Sequence, residues 1–288
     1  MRRGFPAPGI GVILMFPLLP IAPALAQQPH APRAEHGPYQ VDFRHPLHEL
    51  IRDLEETERG DRHLESTVPH REWYSSEIRR KMGSWGPRSR AYPPLPGLEH
   101  RSADWCRERA VAVGLRYLGY DYQHHHVPDW DPPQGWPWKP VGSGRNGRGV
   151  DCSNFTGFVF NQGFGIRLST DVVKQSEQGF AEEGNGREWP IRRIQLPGSY
   201  EDRIHALKTG DLLYIRGRPD GPITHVVMWV GPIGRSSDGV PLILDSHGSG
   251  VLDDGGRSIP AGVQLRPFRE HSWYNKCASH AHRVFEGP

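Results

Sequence analysis

Cysteine is scarce in this chain: Cys106, Cys152 and Cys277 are all it has in 288 residues. None belongs to a CxxC pair and no HExxH occurs, so the spacings that hold zinc are missing. Internal repeats are missing as well. Long apolar runs are confined to the N-terminus. There Arg2 and Arg3 precede "GIGVILMFPLLPIAPA", too short and too proline-broken for a good membrane span, and "ALA" before "QQPH" offers a small-x-small cleavage site. This predicts a secretory signal peptide over residues 1–26 and a periplasmic or secreted location, with no following cysteine to carry a lipid; "RRGF" weakly resembles a twin-arginine export signal. Net charge is lacking too. The formal charge is +2, and removal of the two signal arginines takes it to zero, which argues against nucleic acid as a partner.

Glycine (34) and proline (28) are plentiful, which predicts long loops around a modest core. The ~260 residues after the signal suit one sizeable domain plus an extension. An odd cysteine count in an exported chain leaves one thiol over if two pair. The expectation is a Cys106–Cys277 disulfide with Cys152 free.

Residues 27–100 read as an N-terminal extension. Its one regular feature is "HPLHELIRDLEET", where Leu47, Leu50, Ile51 and Leu54 fall on one helical face behind Pro46; from Gly60 to His100 the chain reads as a connector or a wrap around the main domain. Residues 101–288 carry the main domain. A helix is expected from Ala103 to Leu118, with Cys106, Ala110, Val113 and Tyr117 on one face, Ser102 as cap and Gly119 as stop. After a loop rich in proline, glycine and tryptophan comes "GVDCSNFTGFVFNQGFGIRL", a helix opened by Cys152 and stopped by Gly163 and Gly165, then a shorter amphipathic segment, "STDVVKQSEQGF". Beyond Leu207 the pattern changes to strands: "DLLYI", "HVVMWVG", "PLILDS", "GVQLRPF" and "SHAHRVF". Helices first and strands afterwards predict an α+β domain on an antiparallel sheet of about five strands.

A cysteine at a helix mouth is either a packing residue or a nucleophile, because the positive end of the helix dipole stabilises a thiolate. A thiol nucleophile also needs a base and donors for the developing oxyanion. The backbone N–H of Cys152 is one such donor. His225, at the start of a strongly apolar strand, is the best-placed base, and Asp245 or His247, at the end of the next strand, can orient it.

These segments, in this order, resemble the NlpC-type endopeptidases, papain-like cysteine peptidases of bacterial cell-wall turnover. The resemblance runs from about Trp105 to the C-terminus. It implies a papain-like fold, Cys152 as nucleophile, His225 as base and, by position on the strand end, Asp245 as the third residue, where the family more often has histidine. "YLGYDY" resembles the segment that places a tyrosine in the cleft, which points to Tyr122. Asp151 and Ser153 are implied to meet the amine end of a stem peptide, and His247 to line the same cleft. Two departures touch the cleft: Asn154 stands where the family has glycine, and "HHH" with the tryptophan loop replaces an aromatic-Gly-Gly. The implied activity is cleavage of peptidoglycan stem peptides between D-isoglutamyl and a diamino acid, by a periplasmic or secreted monomer needing no cofactor or metal.

Competing readings are concrete. His124, His125 and His126 with Asp129 and Asp131 could suggest a metal, but adjacent histidines alternate in direction and cannot all face one ion, so a solvated loop is favoured. Trp130, Trp136 and Trp138 suit pinning of the loop better than stacking on sugars. The same thiol chemistry would serve an amidase or acyltransferase. A catalytically idle cell-wall-binding scaffold is opposed by the intact Cys-His-Asp set.

Overall fold

The computed structural model describes residues 39–55, 75–82, 91–120, 122, 150–253 and 255–286. The expected signal peptide and the histidine- and tryptophan-bearing loop lie outside these residues.

The chain starts with a two-residue strand, β1 (Gln40–Val41), and two helices, α1 (Leu47–Glu55) and α2 (Ser76–Met82). A 3-10 turn at Leu98–His100 leads to α3 (Ala103–Leu115), and α4 follows at Cys152–Phe164. A small antiparallel sheet comes next: β2 (Ile166–Arg167), β3 (Phe180–Glu183) and β4 (Glu188–Pro190), with α5 (Val172–Glu177) between its first two strands. The main sheet is built from β5 (Arg192–Gln195), β6 (Leu212–Arg216), β7 (Ile223–Arg235), β8 (Pro241–His247), β11 (Gly262–Pro267) and β12 (Ala278–Arg283). A hairpin, β9 (Val251–Leu252) and β10 (Ser258–Ile259), and helices α6 (Tyr200–Ala206) and α7 (Trp273–Lys276) complete the elements.

The main sheet runs β11-β8-β7-β6-β12-β5, antiparallel throughout, and β1 pairs with the far end of β7. All five expected strands are present. Two further strands, β5 and β1, join them. Alternate residues of β7 feed two separate cores: Val226, Met228 and Val230 pack with α3 and α4, whereas Val227 and Trp229 pack with Phe268 and Tyr274. Burial on both faces is why "HVVMWV" is continuously apolar. Where β7 bulges, Gly231 adopts a φ of 65°, and a Cβ there would strike the Trp229 ring.

Cys106 belongs to the first core and Cys277 to the second, so the sheet lies between them and all three cysteines are free thiols. The expected Cys106–Cys277 disulfide is therefore not formed. Burial pushes the Cys106 thiol up to about 12, which leaves it a packing residue.

The helix of the extension packs on the domain. Leu50, Ile51 and Leu54 enter the core as expected, but Leu47 remains 48 % exposed. Helix α3 starts at its Ser102 cap, ends sooner than expected, and is buried from Trp105 to Gly114 on every side, not on one face. Its charged residues are paired: Glu108 accepts from the backbone and side chains of Arg44 and His45, and Arg109 reaches Asp53 of α1 and the Gly163 carbonyl of α4.

Candidate active site

Helix α4 positions Cys152 through its cap. Asp151 is extended (φ −82°, ψ 179°), and its Oδ1 accepts from the backbone N–H and the side-chain amide of Asn154, both at 2.9 Å. Asn154 thus takes a second hold on the cap. The Ser153 hydroxyl donates to the Thr170 carbonyl at 2.7 Å and to Asp151. At the other end Gly165, at φ 75°, closes the helix in the left-handed conformation. Two further ties fix the mouth from outside. Ser246 of β8 donates to the Val150 carbonyl at 2.6 Å, and Gln175 of α5 donates to the carbonyls of Ser153 and Ser169.

Cys152 is the first residue of α4 and is buried, with 6 % of its surface exposed. His225, near the start of β7 and opposite Ile215 of β6, lies close enough to the cysteine side chain for the two to interact. Its Nε2 lies 2.8 Å from Asp245 Oδ1, which leaves Nδ1 for the sulfur. Asp245 is wholly buried near the end of β8; its other oxygen accepts from the Tyr274 hydroxyl at 2.6 Å and faces Arg266 Nε at 3.4 Å. The order is thiol, imidazole, carboxylate.

The electrostatics follow from this order. Burial alone would lower the pKa of His225, but the Asp245 carboxylate and the Cys152 sulfur outweigh it and push the imidazole up to about 10. Burial alone would raise Asp245, yet His225 and Arg266 hold its carboxyl below the usual range. Burial lowers His247, whose ring meets His225 edge-on with centroids 5.0 Å apart. The imidazole of His225 is thus hydrogen-bonded to Asp245, and His247 meets it by ring contact.

Tyr122 lies against Gly248, where an added Cβ would sit 3.2 Å from its ring, and burial together with the charges of Cys152, Asp151 and Asp245 raises its hydroxyl pKa. Cys152, His225, Asp245, His247 and Tyr122 are brought together. Asp151 and Ser153 stand at the helix mouth, where Asp151 accepts from the Asn154 backbone N–H and the Ser153 hydroxyl donates to the Thr170 carbonyl. The sequence reading missed Tyr274, Arg266 and Trp273, whose ring stands 5.6 Å from that of His225. Only Arg266 left a signal, as a charge inside the apolar strand "GVQLRPF". Among the described residues no group of three histidine, cysteine or acidic side chains is placed to hold a metal, and no helix is long and apolar enough to cross a membrane.

A sequence profile of the NlpC/P60 family matches residues 137–280. No curated protein sequence matches the chain. Solved structures similar to it include an NlpC/P60 family protein from Bacillus cereus (19 % identity, 69 % of this chain and 44 % of that one, TM-score 0.37). Another is the P60 domain of an antigen from M. avium subspecies paratuberculosis (19 %, 64 % and 98 %, 0.38). A third is the peptidoglycan hydrolase RipB from Mycobacterium tuberculosis (19 %, 73 % and 78 %, 0.39). The chain spans under half the length of the Bacillus cereus protein.

Proposed function

The chain belongs to the NlpC/P60 family, and from that premise we propose that it is an exported cysteine endopeptidase acting on peptidoglycan stem peptides. The family comprises papain-like cysteine peptidases involved in peptidoglycan hydrolysis, and the α+β architecture agrees with it. The observation that carries the reading is the line from Cys152 at the mouth of α4, through His225, to a fully buried Asp245.

In this reading the resting site is a thiolate–imidazolium pair. The Cys152 sulfur attacks the scissile carbonyl carbon, and the oxygen takes on negative charge beside the Cys152 N–H, one of the donors that a helix cannot satisfy internally. The C–N bond then breaks as His225 gives its proton to the departing amine, leaving a thioester and a neutral imidazole. Water attacks the thioester, His225 takes the water's proton, and collapse releases the carboxylic acid and restores the thiolate–imidazolium pair. Asp245 keeps Nε2 protonated throughout, so Nδ1 faces the reacting atoms. Tyr122, His247 and Trp273 form the adjoining walls.

The proposed bond is that between D-isoglutamyl and a diamino acid, and the proposed location is outside the cytoplasmic membrane. Purified protein incubated with muropeptides, with products read by mass spectrometry, tests both chemistry and bond. Cleavage inside the stem, blocked by thiol alkylation and by Cys152→Ala but not by chelators, is expected. Release of intact stems from the glycan would establish an amidase instead.

A further inference from the structure

A carboxylate fully removed from water remains an anion only while positive charge or hydrogen-bond donors face it. Asp245 and Arg266 are each 0 % exposed at the side chain. In the β8–β11 register Gln264 stands opposite Asp245 and Arg266 opposite Ile243, so Arg266 is the diagonal neighbour of Asp245 on the same face of the sheet. Its guanidinium is fastened at one end only, where Nη2 donates to the carbonyls of Pro260 (2.9 Å) and Gly262 (3.3 Å). Neither Nε nor Nη1 has a hydrogen-bond partner among the described residues, and Nε stands 3.4 Å from Asp245 Oδ2, whose close hydrogen bond comes from Tyr274. What Arg266 supplies to Asp245 is charge.

That charge matters unequally through the cycle. While His225 is an imidazolium, Asp245 faces two cations. Once His225 has protonated the leaving amine, Arg266 is the fixed cation still beside it. We infer that Arg266 is a positioning residue for the hydrolytic half of the reaction: it lets Asp245 remain an anion beside a neutral His225, and so keeps the imidazole in the tautomer that can take a proton from water. This rests on the thiol-peptidase reading above. Without Arg266, the Asp245–His225 pair would give up its shared proton only at higher pH. The pair would then hold that proton where the thioester needs a free base. Among the described residues, the other titratable groups facing the pair are Cys152 of α4, Tyr122, His247 of β8 and Tyr274 of α7.

Protein alkylated at Cys152 with iodoacetamide carries a thioether there, whose sulfur is neutral like that of the acyl-enzyme thioester. An NMR titration of His225 in that form reads the pair directly and needs no substrate, so failure of the peptidoglycan reading would appear in the muropeptide assay and leave this test standing. Arg266→Gln should raise the pH of proton release by about one unit or more, a tenfold change, while Arg266→Lys, which keeps the charge, should restore most of it. In an Asp245→Asn background Arg266→Gln should shift it far less, because the carboxylate it acts through is gone. No upward shift, or an equal shift in the Asp245→Asn background, would overturn the inference. If Arg266→Gln does not fold, unfolding midpoints decide. Asp245→Asn strands a buried cation, so Asp245→Asn/Arg266→Met should be the more stable of the two, and a double variant no more stable than Asp245→Asn overturns the inference.

Discussion

Asp53→Ala tests whether the extension is part of the folded domain. Arg109 has a side chain 1 % exposed and makes a two-pronged contact with Asp53, 34 % exposed, at 2.7 and 2.8 Å. Removing one partner of a buried ion pair costs about 3–5 kcal/mol, because the other charge is left in a dry site. Here Asp53 is partly solvated, and Arg109 keeps the carbonyls of Leu50 and Gly163 as acceptors. The low end, about 3 kcal/mol, is therefore expected. For a domain of this size about 1 kcal/mol moves Tm by roughly 2–4 °C, so a melting curve should fall by about 6–12 °C. Glu49→Ala, at an exposed position of the same helix, is the control and should stay within about 0.5 kcal/mol of the parent. An Asp53→Ala melt within about 2 °C of wild type would refute the reasoning and leave α1 as an appendage. If the fall occurs, a boundary at residue 100 cuts through a folding unit, since Arg109 and the buried Glu108 would both lose their partners.

The catalytic series should be ordered. Cys152→Ala should remove turnover with the melting curve kept, His225→Ala should remove turnover and also lower the melting point because Asp245 loses its buried partner, Asp245→Ala should lower kcat less, and His247→Ala least; a mild Asp245→Ala beside a damaging His247→Ala would reverse the assignment of the orienting residue. Stability should also fall in mild acid. Burial holds His280 at about 4 and His282 at about 3, below the ordinary 6.5, so below pH 6.5 the unfolded chain binds protons that the folded one refuses. His225 acts in the opposite sense: its raised pKa contributes stability that is full below pH 6.5 and is lost as pH rises through about 10. Urea midpoints should accordingly drop between pH 6.5 and about 4.5, before most carboxylates titrate, and a midpoint unchanged over that window would contradict the burial of both histidines.

The helices at Cys152 and Ala103 and the five main strands could be read from apolar spacing, because each buries a long face and writes that burial into its sequence. Strand β5 could not: "RRIQ" is an edge strand whose one buried residue is Ile194, so no alternation marks it. Strand β1 is too short to carry a period. For α3 the spacing picked out one apolar face, whereas Arg107, Glu108 and Arg109 are buried too: Glu108 and Arg109 pair with Arg44 and Asp53, distant in the chain, and Arg107 with Asp104 of its own helix. Cys152, His225 and Asp245 could be picked out as candidates because a helix mouth and strand ends are local features. Tyr274 was not, since only folding brings α7 against the end of β8.

The end of β8 has a consequence for how this chain can vary. Ser246 grips the Val150 carbonyl, and two residues further on Gly248 packs against Tyr122. Tyr122 and Val150, which flank residues 123–149, are thus both held at the end of β8, one at Gly248 just past it and the other at Ser246 within it. The gap those residues must bridge is set by the strand and not by their own length. Because the entropy of closing a loop grows only logarithmically, doubling such an insert costs about 0.6 kcal/mol. Cys152 follows two residues after the second mooring, so the sulfur is placed by the grip of Ser246 on Val150, and a change of length between residues 122 and 150 leaves that grip in force.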